Sequence, residues 1–107
     1  MIEHVVMWKF ADTAEGKTRE ENMAIVRERL FALPAIIPEI KFMQIGRDVS
    51  RTEMSYDMML VTRFESLEAL HTYKVHPDHV AVSQYVKKVR TARVVLDAEL
   101  DEDGNLI

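Results

Sequence analysis

A four-stranded antiparallel sheet with two helices packed on one face is the fold that the sequence predicts. The first observation behind this prediction is the order of the elements, which is strand, helix, strand, strand, helix, strand. The second is the first strand, which carries apolar side chains on both of its faces. The third is the length, because 107 residues fit one domain with one core. A βαββαβ order in a chain of this size is typical of the α+β, ferredoxin-like fold.

The first half of the chain predicts a strand, a helix and a second strand. Residues 2–11 are rich in the β-branched and aromatic side chains that favour strands. After a loop, Thr18 and Glu21 have the spacing of a capping box, in which each side chain bonds the other residue's backbone N–H. Apolar residues then recur at helical spacing until Pro34 ends the helix, because proline lacks the N–H donor. Residues 40–45 form the next strand.

The second half of the chain predicts a strand, two helical segments and a last strand. Residues 56–64 again carry apolar side chains on both faces. Ser66 can cap a short helix, and Pro77 suits the first turn of a second one. Residues 91–100 form the last strand and complete a domain over residues 1–100. The remaining residues, 101–107, are predicted to be a mobile acidic tail.

The composition argues against several classes of protein. Acidic residues outnumber basic ones by 18 to 14, and the net charge of −4 argues against broad binding to nucleic acid. The chain has no cysteine, which allows a reducing compartment, and we expect a cytoplasmic location. We expect no signal peptide, because Glu3, Lys9 and Asp12 interrupt the apolar residues at the start of the sequence. We expect no membrane span, because no apolar run approaches roughly 18–20 residues. No Gly-rich phosphate loop is present, and no cofactor is expected.

Apolar residues on both faces of the strands predict a homodimer. Two helices can cover only one face of the sheet, and monomers seldom expose an apolar patch larger than a few hundred Å². We therefore expect two copies to pair through their open sheet faces and to form a dimeric α/β barrel. By the predicted register, the open face carries Val5, Met7, Met59, Val61 and Val95.

Two histidine-containing segments carry most of a resemblance to a known family. Four segments contribute, and they are residues 3–10, 37–46, 73–79 and 94–97. Together they resemble the stress-responsive A/B barrel (Dabb) family over roughly residues 2–100. The resemblance implies a dimeric α+β barrel, in agreement with the strand patterns. It implies function only loosely, because one fold hosts many chemistries.

The resemblance also implies a candidate site between the sheet and the helices. One branch of the family is a plant polyketide cyclase whose pocket uses histidines and a tyrosine, and His4, Tyr73 and His79 are similar to three of those positions. The fourth position, a histidine in that branch, is Met58 here, so the same cyclisation is not expected. The side chains expected to line the pocket are Val6, Trp8, Leu30, Met58 and Leu60.

The remaining histidines and basic residues have local interpretations. His76 and His79 flank Pro77 with a spacing of three, which suits either a pair of metal ligands or the start of a helix. His71 adds a third imidazole nearby in sequence, but only the carboxylates of Asp78 or Glu68 could complete a ligand set, and we expect no metal site. A small basic cluster is predicted to be a solvated helix face, and its members are Lys87, Lys88 and Arg90.

Two functions of different classes follow from these observations. In the first, the homodimer is a binding or structural module that holds a small apolar or aromatic molecule. In the second, it is a cofactor-independent enzyme that uses histidine as acid and base and tyrosine as proton donor. The enzyme requires His4 and His79 to face a common cavity, whereas a purely structural module predicts a filled interior.

Overall fold

Four long strands pair in one antiparallel sheet in the structure, a computed structural model that describes residues 1–107. In chain order the elements are β1 (Ile2–Phe10), β2 (Thr13–Ala14), β3 (Lys17–Thr18), α1 (Arg19–Phe31), β4 (Phe42–Arg47), β5 (Met58–Phe64), α2 (Leu67–Val75), α3 (Pro77–Val89) and β6 (Arg90–Glu99). The long strands lie in the order β4–β5–β1–β6, and each neighbouring pair is antiparallel. This is the ferredoxin-like arrangement, so the predicted fold class is confirmed.

The three helices begin where the sequence predicts. At the start of α1 the Thr18 hydroxyl accepts from the backbone N–H of Glu21, and the Glu21 carboxylate accepts from the backbone N–H of Thr18. The Ser66 hydroxyl caps α2 in the same way. His76 caps α3, and Pro77 is its first residue. None of these helices combines the length and the apolar character that crossing a membrane would need.

The ends of some elements differ from the prediction because of local backbone chemistry. The helix α1 ends at Phe31, three residues before the Pro34 that was predicted to end it, because Pro34 has no N–H with which to continue the helix. A 3₁₀ turn over Leu33–Ala35 follows. The predicted loop between β1 and α1 contains the small hairpin of β2 and β3, in which Gly16 has a φ of +72°.

The side chains of β1 alternate between two environments. The even-numbered residues His4, Val6, Trp8 and Phe10 are buried against the helices, whereas the odd-numbered residues are only half-buried. The helices therefore cover one face of the sheet, here called the helix-covered face. The other side is called the open face, and the apolar residues at its centre are Val5, Met7, Met59, Val61, Val94 and Leu96.

The prediction that Val95 lies on the open face is wrong. In the register of β6 against β1, Val95 lies opposite Val6, whereas Val94 and Leu96 lie opposite Met7 and Val5. A shift of one residue in register moves every side chain of a strand to the other face, and the pairing of β6 decides which residues point where. Val95 is on the helix-covered face but is 47% exposed, since β6 is an edge strand.

The last residues, predicted to be a mobile tail, fold back against the end of β6. The backbone N–H of Asp101 donates to the carbonyl of Asn105 at 2.8 Å, and Leu100 pairs with Leu106 in an isolated bridge. The Asp101 carboxylate also accepts from the backbone N–H of Asn105 at 2.9 Å. Gly104 takes a φ of +83° in this turn, a conformation that glycine adopts without strain.

Candidate ligand-binding and acid–base site

A cavity of about 350 Å³ lies between the helix-covered face of the sheet and the helices α2 and α3. Apolar side chains from the sheet, α1 and α3 form one part of its wall, and polar side chains form the rest. The lining residues are Val6, Trp8, Leu30, Leu60, Val82 and Val86 on the apolar side, and His4, Tyr73, Lys74, His79, Ser83, Lys87, Arg90 and Arg93 on the polar side. Small ligands bind in concave pockets of this kind and size.

His4 is positioned by the pairing of β1 with the edge strand β6. It lies opposite Asp97, and its ring donates a hydrogen bond from Nδ1 to the Asp97 carboxylate. Burial lowers the pKa of His4 below its usual range, although the neighbouring Asp97 opposes that shift. His4 is therefore a neutral imidazole near pH 7, with Nδ1 carrying the proton and Nε2 free to accept one.

His79 lies in the first turns of α3 and has a similar arrangement. Its Nδ1 lies 3.0 Å from the backbone carbonyl of Lys74, which can only accept, so Nδ1 is the donor. Burial also lowers the pKa of His79, and that bond to the Lys74 carbonyl opposes the shift. His79 is thus a second neutral imidazole with its Nε2 unprotonated.

Tyr73 lies between the two histidines. Its ring centroid is 4.2 Å from that of His79 and 6.4 Å from that of His4. The side chain is almost fully buried, and burial raises the pKa of the Tyr73 phenol far above its usual range. Tyr73 therefore keeps its proton at neutral pH and can act as a hydrogen-bond donor.

Three polar atoms in this group have no hydrogen-bond partner within the protein. They are Nε2 of His4, Nε2 of His79 and the hydroxyl of Tyr73. No fully buried side-chain nitrogen or oxygen in the structure lacks a partner, so these three atoms keep some accessible surface, and the residues that carry them line the cavity. They are placed to bond a molecule bound there, since polar groups at such depth need partners.

Met58 does not lie where the sequence reasoning expected it. It is buried opposite Trp8 at the start of β5, and it lines a different, smaller depression beside Met23 and Glu20. The prediction that Met58 lines the pocket is therefore wrong, because Met58 faces the depression beside α1 rather than the cavity. All the other predicted site residues line the cavity.

The remaining histidines serve local roles in the helices. Nδ1 of His76 accepts a hydrogen bond from the backbone N–H of Asp78 at 3.1 Å, as a cap of α3 does. His71 is exposed on α2. The structure brings no three His, Asp or Glu side chains together in a geometry that could hold a metal ion.

Sequence reasoning missed Asp97 and the basic residues at the cavity. Lys87 is exposed on α3, as the prediction of a solvated helix face has it, but Lys87 and Arg90 also border the cavity, and of that cluster only Lys88 does not. A signal existed in α3, where the polar cavity residues follow one another at a spacing of four: His79, Ser83 and Lys87.

The fold and the site define a ferredoxin-like protein with a polar-lined cavity under its helices. The chain belongs to the stress responsive A/B barrel domain family, which it matches over residues 2–100. The resemblance drawn from the histidine-containing segments is therefore confirmed.

Several characterised proteins and solved structures are similar to this chain. Olivetolic acid cyclase of Cannabis sativa is 26% identical over 98 residues, which are 90% of this chain and 93% of that protein. A stress-response A/B barrel domain-containing protein of Arabidopsis thaliana is 27% identical over 97 residues, or 91% of this chain, but the chain spans only 46% of that protein's length. A dimeric ferredoxin-like protein of unknown function from Thermobifida fusca has a TM-score of 0.79 and 28% identity, covering 92% of this chain and 90% of that one.

Proposed function

We propose that this protein is a homodimer that binds a small apolar or aromatic molecule in the cavity beneath its helices. The observation that carries this proposal is the set of three unpartnered polar atoms, on His4, Tyr73 and His79, in a cavity whose other walls are largely apolar. Ligand pockets combine an apolar lining with a few well-placed polar groups, which fix the orientation of the ligand.

The open face supports the homodimer. The apolar residues at its centre lie on β5, β1 and β6, and its polar residues lie towards the ends of these strands or on the edge strand β4, where Gln44 pairs with Val61. One such pair, Glu3 and Arg63, joins β1 to β5 through a hydrogen bond of 3.0 Å. An apolar centre with a polar border is the usual composition of a protein interface. Similar solved structures, such as the Thermobifida fusca protein, are dimeric.

A thermal-shift screen of phenols and aromatic ketones tests the ligand-binding proposal. Trp8 is the single tryptophan of the chain and lines the cavity, so its fluorescence reports a ligand bound there. Ser83→Phe fills the cavity from α3 and is expected to abolish both the thermal shift and the fluorescence change. Ser83→Ala leaves the cavity open and is the matched control. Equal binding by both variants would contradict the proposal.

A second candidate function is proton transfer on the bound molecule, and the His4–Asp97 pair favours it. A carboxylate that accepts from Nδ1 fixes the tautomer and leaves Nε2 as a base. In this reaction the Nε2 of His4 takes a proton from the carbon beside a carbonyl. The electron pair of the broken C–H bond moves to the carbonyl oxygen, and the Tyr73 hydroxyl stabilises the resulting enolate by a hydrogen bond.

Deuterium exchange tests this second candidate without knowledge of the natural substrate. 4-Phenylbutan-2-one has carbon-bound protons beside its carbonyl, and their exchange in D2O is followed by NMR. The protein is expected to accelerate this exchange, and His4→Gln to reduce the acceleration by about 100-fold or more. His71→Gln changes an exposed imidazole of α2 and is the control. If the ligand binds but its exchange is not accelerated, the ligand-binding proposal stands and the proton-transfer proposal is contradicted.

A further inference from the structure

Four basic side chains surround one side of the cavity. They are Lys74 at the end of α2, Lys87 near the end of α3, and Arg90 and Arg93 on β6. No aspartate or glutamate lines the cavity with them. This set, here called the basic rim, gathers four positive charges in a chain whose net charge is −4.

The two arginines of the basic rim are unusual because their side chains have no partners within the protein. None of the four makes a side-chain hydrogen bond, an ion pair or a contact over an aromatic ring, although acidic residues outnumber basic ones in the chain. Each of the other six arginines makes such a contact. Four of them pair with carboxylates, and these are Arg19, Arg47, Arg51 and Arg63. Arg27 donates to the Ile45 carbonyl, and Arg29 lies over the Tyr85 ring.

The strand register places the basic rim directly beside the apolar part of the cavity. Arg93 lies opposite Trp8 in the pairing of β6 with β1, and directly paired residues of antiparallel strands point to the same face. The Arg93 charge also helps to lower the pKa values of His4 and His79, which agrees with its position at the cavity. Asp97, the one carboxylate nearby, is bonded to His4.

We propose that the basic rim recognises an anionic group, so that the ligand of this protein is a small amphipathic anion with an aromatic or alkyl body. The apolar body lies against Trp8 and Leu30, and the anionic group lies at Arg93 and Lys87. A guanidinium presents a planar fork of N–H donors that matches a carboxylate or a phosphate oxygen pair. This proposal rests on ligand binding in the cavity and adds the charge of the ligand to it.

Isothermal titration calorimetry with matched probes tests the sign of the ligand charge. The probes are 4-phenylbutanoate, its neutral amide 4-phenylbutanamide and the cation 4-phenylbutylammonium, which share one apolar body. We expect the carboxylate to bind about tenfold or more tightly than the amide, and the cation to bind weakest. A phosphate ester, 3-phenylpropyl phosphate, is measured in parallel, and its rank against the carboxylate shows which anion fits the rim.

Two variants assign the effect to the basic rim. Arg93→Gln is expected to weaken binding of the carboxylate about tenfold and to leave binding of the amide unchanged. Lys88 is the neighbour of Lys87 in sequence but lies outside the cavity. Lys88→Gln is therefore expected to change neither the affinity for the carboxylate nor the affinity for the amide. Circular dichroism checks that both variants fold.

The outcomes separate failure of the anion proposal from failure of ligand binding itself. If the amide binds as tightly as the carboxylate and Ser83→Phe abolishes both, ligand binding in the cavity stands and the anion proposal is overturned. If Arg93→Gln and Lys88→Gln weaken the carboxylate equally, general electrostatics rather than the rim is responsible, and the proposal is again overturned. If no probe binds, both proposals fail together.

Discussion

The two faces of one sheet differ in what their apolar side chains do. On β1, Val6 and Trp8 are at most 5% exposed beneath the helices, while their neighbours Val5 and Met7 are half-buried on the open face. Both faces are apolar, so hydrophobicity alone does not tell them apart. The difference lies in polar atoms. The helix-covered face borders a cavity that holds three unpartnered polar atoms, one on the sheet and two on the helices, whereas the centre of the open face has only aliphatic side chains and methionines.

This difference indicates two kinds of binding. A flat apolar surface without hydrogen-bonding groups is complementary to another such surface, and the simplest candidate is the same face of a second copy. A concave surface with a few polar atoms is complementary to a small molecule instead. The predictions below test each side of this contrast, from the largest expected effect to the smallest.

A charge at the centre of the open face is expected to have the largest effect. Val61→Glu places a carboxylate among apolar side chains of both copies, and the Kd of the dimer is expected to rise by more than about a hundredfold. Light scattering should change from about 25 kDa, twice the chain mass of 12.4 kDa, to that of one chain. Val49→Glu makes the same change at a residue that is 88% exposed and is the control. A wild-type protein that scatters as one chain at micromolar concentration would contradict the dimer.

Truncation of neighbouring residues on β5 separates the two faces by stability. Leu60 is 2% exposed under the helices, so Leu60→Ala is expected to lower the free energy of unfolding by about 2–5 kcal/mol. Met59 is 40% exposed on the open face, and Met59→Ala is expected to cost less than about 1 kcal/mol in a monomer. Urea unfolding in the monomeric Val61→Glu background gives both values without a contribution from dimer dissociation. Equal losses would contradict the assignment of faces.

The two cavity histidines predict a dependence of stability on pH. Burial lowers the pKa of His4 and of His79 in the folded protein below the 6.5 of the free side chain. Below about pH 6.5 the unfolded chain therefore binds more protons than the folded chain. The contribution of these histidines to stability is lost as the pH falls from about 6.5 through their pKa values in the folded protein. Urea unfolding between about pH 7.5 and about pH 5 measures this loss.

A pair of variants assigns that pH dependence to the cavity. His79→Gln is expected to make the dependence shallower, because one buried group that titrates is removed. His71→Gln removes an exposed imidazole that lies outside the cavity and is the matched control. A wild-type stability that does not fall below about pH 6.5 would contradict the burial of neutral imidazoles.

Loss of the Tyr73 hydroxyl is expected to have the smallest effect. The hydroxyl has no partner within the protein, so Tyr73→Phe should leave the free energy of unfolding within about 0.5 kcal/mol of wild type. Affinity for a ligand that bonds this hydroxyl is expected to fall about 3- to 10-fold, the effect of one hydrogen bond. Calorimetry and urea unfolding measure the two quantities. A loss of stability without a loss of affinity would assign the hydroxyl to the core instead.

The fold was predictable because its signals are local. The capping box of Thr18 and Glu21 starts α1, and Pro77 starts α3 after the His76 cap, as short sequence patterns predict. The sequence of β1 indicated that both of its faces are apolar, and because two helices can cover only one face, this pattern predicted the pairing of two copies. The tail is an exception, because its turn depends on the contact of Leu106 with Leu100 at the end of β6.

The site was only partly predictable because it depends on pairing between distant segments. His4, Tyr73 and His79 were identified through the family resemblance, and the structure brings them to one cavity. Asp97 and Arg93 join them only through the register of β6 against β1, which no short pattern in either strand determines. The same register places Val95 on the opposite face from the one predicted.

A crystal structure of the protein with 4-phenylbutanoate tests the contrast between the two faces most directly. We predict electron density for the phenyl ring against Trp8 and Leu30 in the cavity, with the carboxylate at Arg93. We also predict that the open faces of two copies pack against each other. A phenyl ring bound at Met7 and Val61 of the open face, with the cavity free of ligand, would contradict this assignment of functions to the two faces.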